Sequence, residues 1–269
     1  MRFLQNALRL MDASMNTPSL FGWFHLLWLG ITIASTYALC RWGKGKERSV
    51  ILWTTLIVIF LEIYKQINYS FSYTKGITFD YQWYAFPFQF CSTPMYVGLL
   101  AALTQGKLHN ALCSYLSTFA LFAGLCVMCY PGDVFIDTIG INIQTMICHG
   151  SMVVIGIYLL ATGYVKLTHK TVLNAIPVFS VCVLIAVGMN DFAHYTGLKE
   201  TFNMFFISPH WDCTLPLYSL IHEAVPFPIN LLIYIAGFTV AAWIILVLCM
   251  AIRKLTARKS NSVIYTNAQ

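Results

Sequence analysis

Cys91 is one of two side chains in this sequence whose type and setting favour covalent chemistry. It stands in the segment Phe86–Pro94, which has a proline at position 87 and another at its end. Proline frees nearby backbone amides and carbonyls from helical pairing, and the dipole at a helix start favours the thiolate form of a cysteine. The alternative is that Cys91 is simply a small buried hydrophobic residue, as most membrane cysteines are.

His149 is the second candidate, and it lies deep in an apolar run with Gly150 beside it. A glycine at this place allows a neighbouring helix or a substrate to approach closely. A neutral imidazole can take a proton from a thiol and return it to a leaving group. The alternative is a histidine that is hydrogen-bonded to a carbonyl of a neighbouring helix. Cys91 and His149 are therefore predicted to be nucleophile and general base.

Two other groups of residues are not predicted to carry chemistry. Cys126 and Cys129 form a C-x-x-C pair at the end of an apolar helix, outside the βαβ setting of redox motifs. One loop also contains several side chains that can bind a metal, namely His210, Asp212, Cys213, His222 and Glu223. Their spacing matches no metalloenzyme signature, so neither a metal site nor a cofactor is predicted.

The composition indicates helices that cross a membrane. Of 269 residues, 58% are hydrophobic and only 10% are charged, whereas about a quarter of a soluble domain is charged. A bilayer core of ~30 Å requires ~20 mostly apolar residues per spanning helix. We predict an all-α membrane protein with one transmembrane domain over residues 1–269. The seven predicted spans cover residues 20–40, 50–67, 87–105, 110–130, 142–164, 172–190 and 229–252.

The distribution of Lys and Arg predicts the orientation. With the N-terminus outside, segments 41–49, 104–110, 165–171 and the tail from 251 are cytoplasmic and hold eleven of the sixteen basic residues. This excess is what the positive-inside rule describes. The basic residues are not interleaved with aromatic ones, so nucleic-acid binding is not predicted. We expect an integral, multi-pass protein with a cytoplasmic C-terminus, in the plasma membrane of a bacterium or an endomembrane of a eukaryote.

Two segments outside the spans are also apolar. Residues 202–207, followed by the proline-rich segment 209–228, predict a re-entrant or interfacial segment. Residues 1–15 mix two arginines with apolar side chains, which predicts a short interfacial helix.

Polar side chains concentrate near the outer ends of the predicted spans. Cys91 lies ~4 residues and His149 ~7 residues inside its span, which is roughly 6 Å and 10 Å below the outer interface at 1.5 Å per residue. This common depth predicts a polar chamber that opens toward the outer leaflet. The predicted substrate contacts in it are Gln89, Ser92, Glu62, Asn203, Asp191 and His194.

Pro87 and Cys91, followed 58 positions after the cysteine by His149–Gly150, resemble the YwaF-like bacterial integral membrane proteins. An animal relative of that family is a transmembrane acyltransferase that moves polyunsaturated acyl chains onto lyso ether phospholipids, the precursors of plasmalogens. The resemblance covers most of the chain and implies that Cys91 carries the acyl group while His149 assists. Ser92 and Thr93 after the cysteine depart from the family's pattern, as does Met204 after Asn203.

Two functional hypotheses follow. The first is a membrane-embedded, thiol-dependent phospholipid acyltransferase, or a lipid acyl hydrolase if water replaces the lysophospholipid acceptor. Gln89, Ser92 or backbone amides near Pro94 would then stabilise the oxyanion. The second is a non-enzymatic seven-helix protein that binds or transports a ligand through Glu62, Asp191 and His194. The short inner loops and the lack of an internal repeat favour the first. Membrane lipids are the expected partners.

Overall fold

The computed structural model describes residues 2–72, 76–213, 215, 218–222 and 224–266, which are mainly helical. A short N-terminal helix, α1, is followed by α2 and α3, then by a hairpin of strands β1 and β2, and then by helices α4 to α10. Their bounds are Arg2–Met11 (α1), Trp23–Trp42 (α2), Glu47–Ser70 (α3), Phe71–Ser72 (β1), Thr78–Phe79 (β2), Thr93–Leu103 (α4), Gly106–Tyr115 (α5), Leu121–Cys129 (α6), Ile139–Ala161 (α7), His169–Tyr195 (α8), Ser219–His222 (α9) and Phe227–Thr266 (α10).

Within the described residues, six helices are long and apolar enough to cross a membrane. They correspond to six of the seven predicted spans. One of them combines α5 and α6, which are joined without a break by the π-helical turn Leu116–Ala120. These six are Trp23–Trp42, Glu47–Ser70, Gly106–Cys129, Ile139–Ala161, His169–Tyr195 and Phe227–Thr256.

The third predicted span, residues 87–105, is shorter in the structure. A 3₁₀ turn, Phe90–Ser92, leads into α4, so that the apolar helical segment covers only Phe90–Leu103. Pro94 fits the first turn of α4, where no N–H is required. Pro87 keeps the preceding residues out of the helix. The count of seven crossings and the orientation stay predictions.

The interior of the bundle is built around α7. In its most apolar stretch 78% of the residues are buried inside the protein, compared with 17% in α2 and in α10. A surrounding bilayer would therefore contact mainly the outer helices. Because His149 lies near the middle of α7, it is enclosed by neighbouring helices and is 6% exposed.

The apolar segment 202–207 packs into the bundle, and its re-entrant or interfacial placement stays a prediction. Met204, Phe205 and Ile207 are fully buried, and a 3₁₀ turn spans Met204–Phe206. A helix within residues 1–15 is confirmed as α1, which is anchored by the Tyr64 hydroxyl donating to the Met11 carbonyl at 2.5 Å. Its interfacial location stays a prediction.

Gly124 permits the close packing of α6 against α7. A Cβ atom at this position would lie 2.8 Å from the carbonyl oxygen of His149 and 2.8 Å from Cβ of Met152. We expect Gly124→Leu to destabilise the protein by ~1–3 kcal/mol through overpacking. In detergent this lowers the apparent melting temperature by several degrees, about 2–4 °C per kcal/mol.

Gly30→Leu is the matched control, because a Cβ atom at Gly30 would meet nothing within 4 Å. It should leave the melting temperature nearly unchanged. Equal shifts for the two variants would show that the close approach at Gly124 is not needed.

Candidate functional site

Cys91 lies at the middle of the 3₁₀ turn Phe90–Ser92. Thr93 holds this turn in place: its N–H donates to the carbonyl of Gln89 at 3.2 Å, and its hydroxyl lies 2.5 Å from the phenol oxygen of Tyr115. The first N–H groups of a helical turn have no acceptor within the turn. In the described part of the chain, the N–H of Cys91 has no backbone acceptor.

The side chain of Gln89 binds backbone groups of the segment after α8. Its amide N–H donates to the carbonyl of Asn203 at 3.0 Å, and its amide oxygen accepts the N–H of Phe205 at 2.9 Å. Asn190 of α8 binds the N–H and the carbonyl of Met204 in the same way, at 2.7 and 3.0 Å. The side-chain amides of Gln89 and Asn190 therefore fix the 3₁₀ turn Met204–Phe206 beside Cys91.

Asn203 also binds within its own loop. Its amide oxygen accepts the N–H of Ser208 at 2.9 Å, and its amide N–H donates to the carbonyl of Asp212 at 3.3 Å. The turn needs this support, because Phe205 and Phe206 have φ angles of 61° and 55°, a conformation that costs ~1–3 kcal/mol per residue. Gln89 and Asn203 thus hold the loop, and their contact with substrate stays a prediction.

Cys91 borders a small cavity inside the bundle. The cavity has a volume of about 20 Å³, which is room for about one water molecule. Ser92, also predicted as a site residue, follows Cys91 in the same turn and is buried. A crevice of about 210 Å³ between α2, α3 and α7 shares Thr54 and Ser151 with the cavity, and Ile31 at its rim is 41% exposed. The crevice therefore adjoins the cavity, with Thr54 and Ser151 lining both.

His149 has one nitrogen bound and one free. Its Nδ1 lies 2.8 Å from the carbonyl oxygen of Thr145 one turn earlier. A carbonyl can only accept, so the proton is on Nδ1, and Nε2 carries an unshared electron pair. Nε2 is buried and has no hydrogen-bond partner among the described residues. An oriented imidazole with an open Nε2 is the arrangement of a general base.

The segments that carry Cys91 and His149 are neighbours. The thiol of Cys148 donates to the carbonyl of Cys91 at 3.9 Å, and Lys65 lies within electrostatic range of both Cys91 and His149. Within the described ranges, however, no hydrogen bond joins the Cys91 thiol to the imidazole. The structure brings the two segments together but leaves the direct thiol–imidazole contact unmade.

Glu62 is the centre of a buried polar network at the same end of the bundle. It is 6% exposed, pairs with Lys65 at 2.8 Å and accepts amide N–H groups from Gln66 at 2.8 Å and Gln144 at 3.2 Å. Tyr81 donates to Gln66 at 2.9 Å. Burial and the nearby Glu62 raise the pKa of the Tyr81 phenol, so it remains a donor. The network joins α3 to α7 near Cys91.

Asp191 and His194 lie on the outside of α8 instead of facing Cys91. The His210 imidazole donates to the Asp191 carboxylate at 3.1 Å. The rings of His194 and His210 stack with centroids 3.6 Å apart. His194 is exposed and Asp191 is partly so. The predicted polar residues therefore form two groups, one buried around Glu62 and one at the surface.

The loop with potential metal ligands is only partly described. Glu223 lies outside the described residues, as does Lys75, one of the five basic residues that the predicted orientation places on the outer side. Among the residues that are described, no three His, Cys, Asp or Glu side chains are arranged to hold a metal ion. Burial raises the pKa of the Cys213 thiol, which disfavours the thiolate form that metals bind.

A second cysteine and histidine form a pair that the sequence analysis did not identify. His109 and Cys113 lie one turn apart on α5, with Sγ 3.5 Å from Nε2. The histidine is otherwise occupied, because Nδ1 donates to the Ala101 carbonyl and Nε2 accepts the Tyr164 hydroxyl, each at 2.7 Å. In the sequence, the i, i+4 spacing of His109 and Cys113 indicates that the two side chains lie on one helix face. The saturated imidazole indicates a structural role.

The comparison with known families gives one match. The model of the TMEM164 family, a family of transmembrane proteins, matches residues 20–256, which include both Cys91 and His149. No curated protein and no solved structure matches the chain.

Proposed function

The chain belongs to the TMEM164 family, and we propose that it is a membrane-embedded acyltransferase that moves phospholipid acyl chains through a thioester at Cys91. It is an integral membrane protein, with six membrane-spanning candidates among its described residues. The observation that carries the proposal is the buried His149, whose Nε2 has no partner while Nδ1 is fixed by Thr145.

In the first half of the reaction, Nε2 of His149 takes the thiol proton as Cys91 attacks the ester carbonyl of a phospholipid. A carbon–sulfur bond forms and the ester carbon–oxygen bond breaks. The departing lysophospholipid oxygen receives the proton from His149. The N–H of Cys91, which has no backbone acceptor in the described part of the chain, is the best-placed donor for the oxyanion, because the amide of Gln89 is bound to Asn203.

In the second half, the hydroxyl of a lysophospholipid attacks the thioester and gives its proton to His149. The thiolate leaves and takes that proton from His149, which returns both groups to their starting state. If water takes the place of the lysophospholipid, the same steps release a free fatty acid, so transferase and hydrolase differ only in the acceptor. Catalytic hydrogen bonds are often long in free enzymes and shorten once substrate is bound, which accounts for the open thiol–imidazole contact.

Access from the bilayer supports a lipid substrate. The crevice between α2, α3 and α7 adjoins the cavity at Cys91, because Thr54 and Ser151 line both. The cavity itself, at about 20 Å³, is too small for an acyl chain. We infer that the acyl chain of the lipid stays in the crevice while only its carbonyl end reaches the sulfur of Cys91.

We also propose that the short helix Phe90–Leu103 completes seven crossings, with the N-terminus outside and the C-terminus cytoplasmic. The basic loops support this, because Arg48 donates to the carbonyls of Ala102 and Thr104 and so joins two of the predicted cytoplasmic segments. With this orientation, Cys91 faces the outer leaflet.

The proposal is tested with purified protein in liposomes that contain a phospholipid with an isotope-labelled acyl chain and an unlabelled lysophospholipid. Ester-linked and ether-linked lysophospholipids are supplied in separate samples. Mass spectrometry should find the label in the acceptor, or as free fatty acid if water is the acceptor. If the label remains in the donor with both acceptors, the protein is not this enzyme and the ligand-binding hypothesis takes precedence.

A further inference from the structure

The end of the bundle opposite Cys91 carries a concentration of basic residues. The hydroxyl of Tyr158, near the end of α7, donates to the Gly43 carbonyl at 2.5 Å. Together with the contacts of Arg48 to the turn after α4, this bond brings the predicted cytoplasmic segments to one end. The one acidic residue of those segments is Glu47, which is buried. This end of the protein therefore attracts anions.

A pocket of about 280 Å³ opens at this end between α5, the α7–α8 turn and α8. Lys166 and Lys170 line it together with the carboxamides of Asn110 and Asn174. In the described part of the chain, no acidic side chain lines the pocket and neither lysine is in an ion pair. Two free ammonium groups and two amides around one pocket provide donors for a phosphate.

The backbone beside the lysines is fixed. The Lys166 carbonyl accepts the N–H of Thr168 at 2.9 Å and also the hydroxyl of Thr171. Helix α8 begins at His169, so the positive end of its dipole lies at the pocket. The backbone of the turn is therefore fixed, and the side chains of Lys166 and Lys170 that it carries are exposed to solvent.

We propose that this pocket binds the phosphate of an anionic phospholipid from the leaflet at this end. The lipid source is favoured because the two flanking helices expose apolar side chains there: Leu108 on α5 is 54% exposed and Leu173 on α8 is 62% exposed. A lipid can contact these with its acyl chains while its phosphate meets the lysines. A free phosphate ion would not contact Leu108 or Leu173. This site is independent of the chemistry proposed for Cys91.

Native mass spectrometry of the purified, full-length protein tests the proposal, with phosphatidylglycerol as the anionic probe and phosphatidylcholine as the zwitterionic one. The double variant K166Q/K170Q should bind phosphatidylglycerol roughly tenfold to thirtyfold more weakly, since each lysine contributes about 1 kcal/mol to such binding. The control is K44Q/K46Q, which removes two charges at the same end but outside the pocket. It should bind nearly as well as the wild type.

Three results would overturn the proposal. The first is unchanged affinity in K166Q/K170Q. The second is an equal loss in both double variants, which would indicate general attraction to a basic surface. The third is displacement of phosphatidylglycerol by inorganic phosphate at matched concentration, which would identify a soluble anion as the occupant. Asn174→Leu, which alters the pocket without changing its charge, should weaken binding to a smaller extent.

Discussion

Cys91→Ala is expected to lower acyl transfer by the purified protein at least about a thousandfold, because loss of a covalent nucleophile removes the reaction path itself. The variant should still insert and fold, since Cys91 is half-buried and its carbonyl, which binds Cys148, is kept. The measurement is label transfer from phospholipid to lysophospholipid in liposomes, compared at equal amounts of inserted protein.

Two other cysteines provide matched controls. Cys148 lines the same cavity as Cys91, and Cys113 is the thiol that contacts a histidine at the opposite end. Cys148→Ala and Cys113→Ala should keep most of the activity. Loss of activity in Cys113→Ala, with full activity in Cys91→Ala, would move the nucleophile to α5 and contradict the assignment.

His149→Gln is expected to reduce the transfer rate by about 10²–10⁴-fold, the usual contribution of a general base. Glutamine keeps much of the side chain's size but cannot accept the thiol proton. The remaining activity depends on thiol that ionises without assistance, a fraction that rises about tenfold per pH unit as long as the pH is below the pKa of the thiol. The rate of His149→Gln should therefore rise more steeply with pH than that of the wild type, measured between pH 6 and about 8.

His109→Gln is the control for this second prediction. His109 has the same Nδ1-to-carbonyl bond, but its Nε2 already accepts the hydroxyl of Tyr164. Its replacement should not alter the pH dependence of transfer. Parallel pH profiles for wild type and His149→Gln would mean that His149 does not accept the proton.

The sequence was sufficient to predict where apolar helices occur and which of their ends are polar, because both depend on composition over many residues. It could not predict which partner a polar side chain finds. Gln89 and Asn203 were expected to face a substrate, yet both bind the backbone of one turn. That pairing exists because Phe205 and Phe206 adopt positive φ angles, which no sequence pattern indicates for phenylalanine.

The direction in which a side chain points around its helix axis was the second feature that the sequence could not predict. Asp191 and Asn190 are adjacent in sequence and at the same depth, but Asn190 is buried against Met204 while Asp191 lies at the surface with His210. Successive helical residues point about 100° apart, so a common depth does not imply a common chamber. A predicted span gives only the depth of a residue in the membrane, and the single polar chamber was inferred from that depth.

The length of the third span shows a local effect of two prolines that the sequence places on either side of Cys91. Pro87 and Pro94 fix the backbone around the cysteine. Their consequence is that the helix proper starts only at Thr93, after a 3₁₀ turn. The same irregular turn leaves the N–H of Cys91 outside the helical ladder. The shortening of the helix and the presentation of the thiol thus have one cause.

The proposed function requires a thioester on the sulfur of Cys91, and peptide mass spectrometry detects this intermediate directly. Wild-type protein is incubated with labelled phospholipid without an acceptor, quenched in acid and digested. The prediction is a labelled acyl group on the peptide that contains Cys91, removable by neutral hydroxylamine and absent from Cys91→Ala. Transfer of label without an adduct at Cys91, or with the adduct on Cys113 or Cys148, would contradict it.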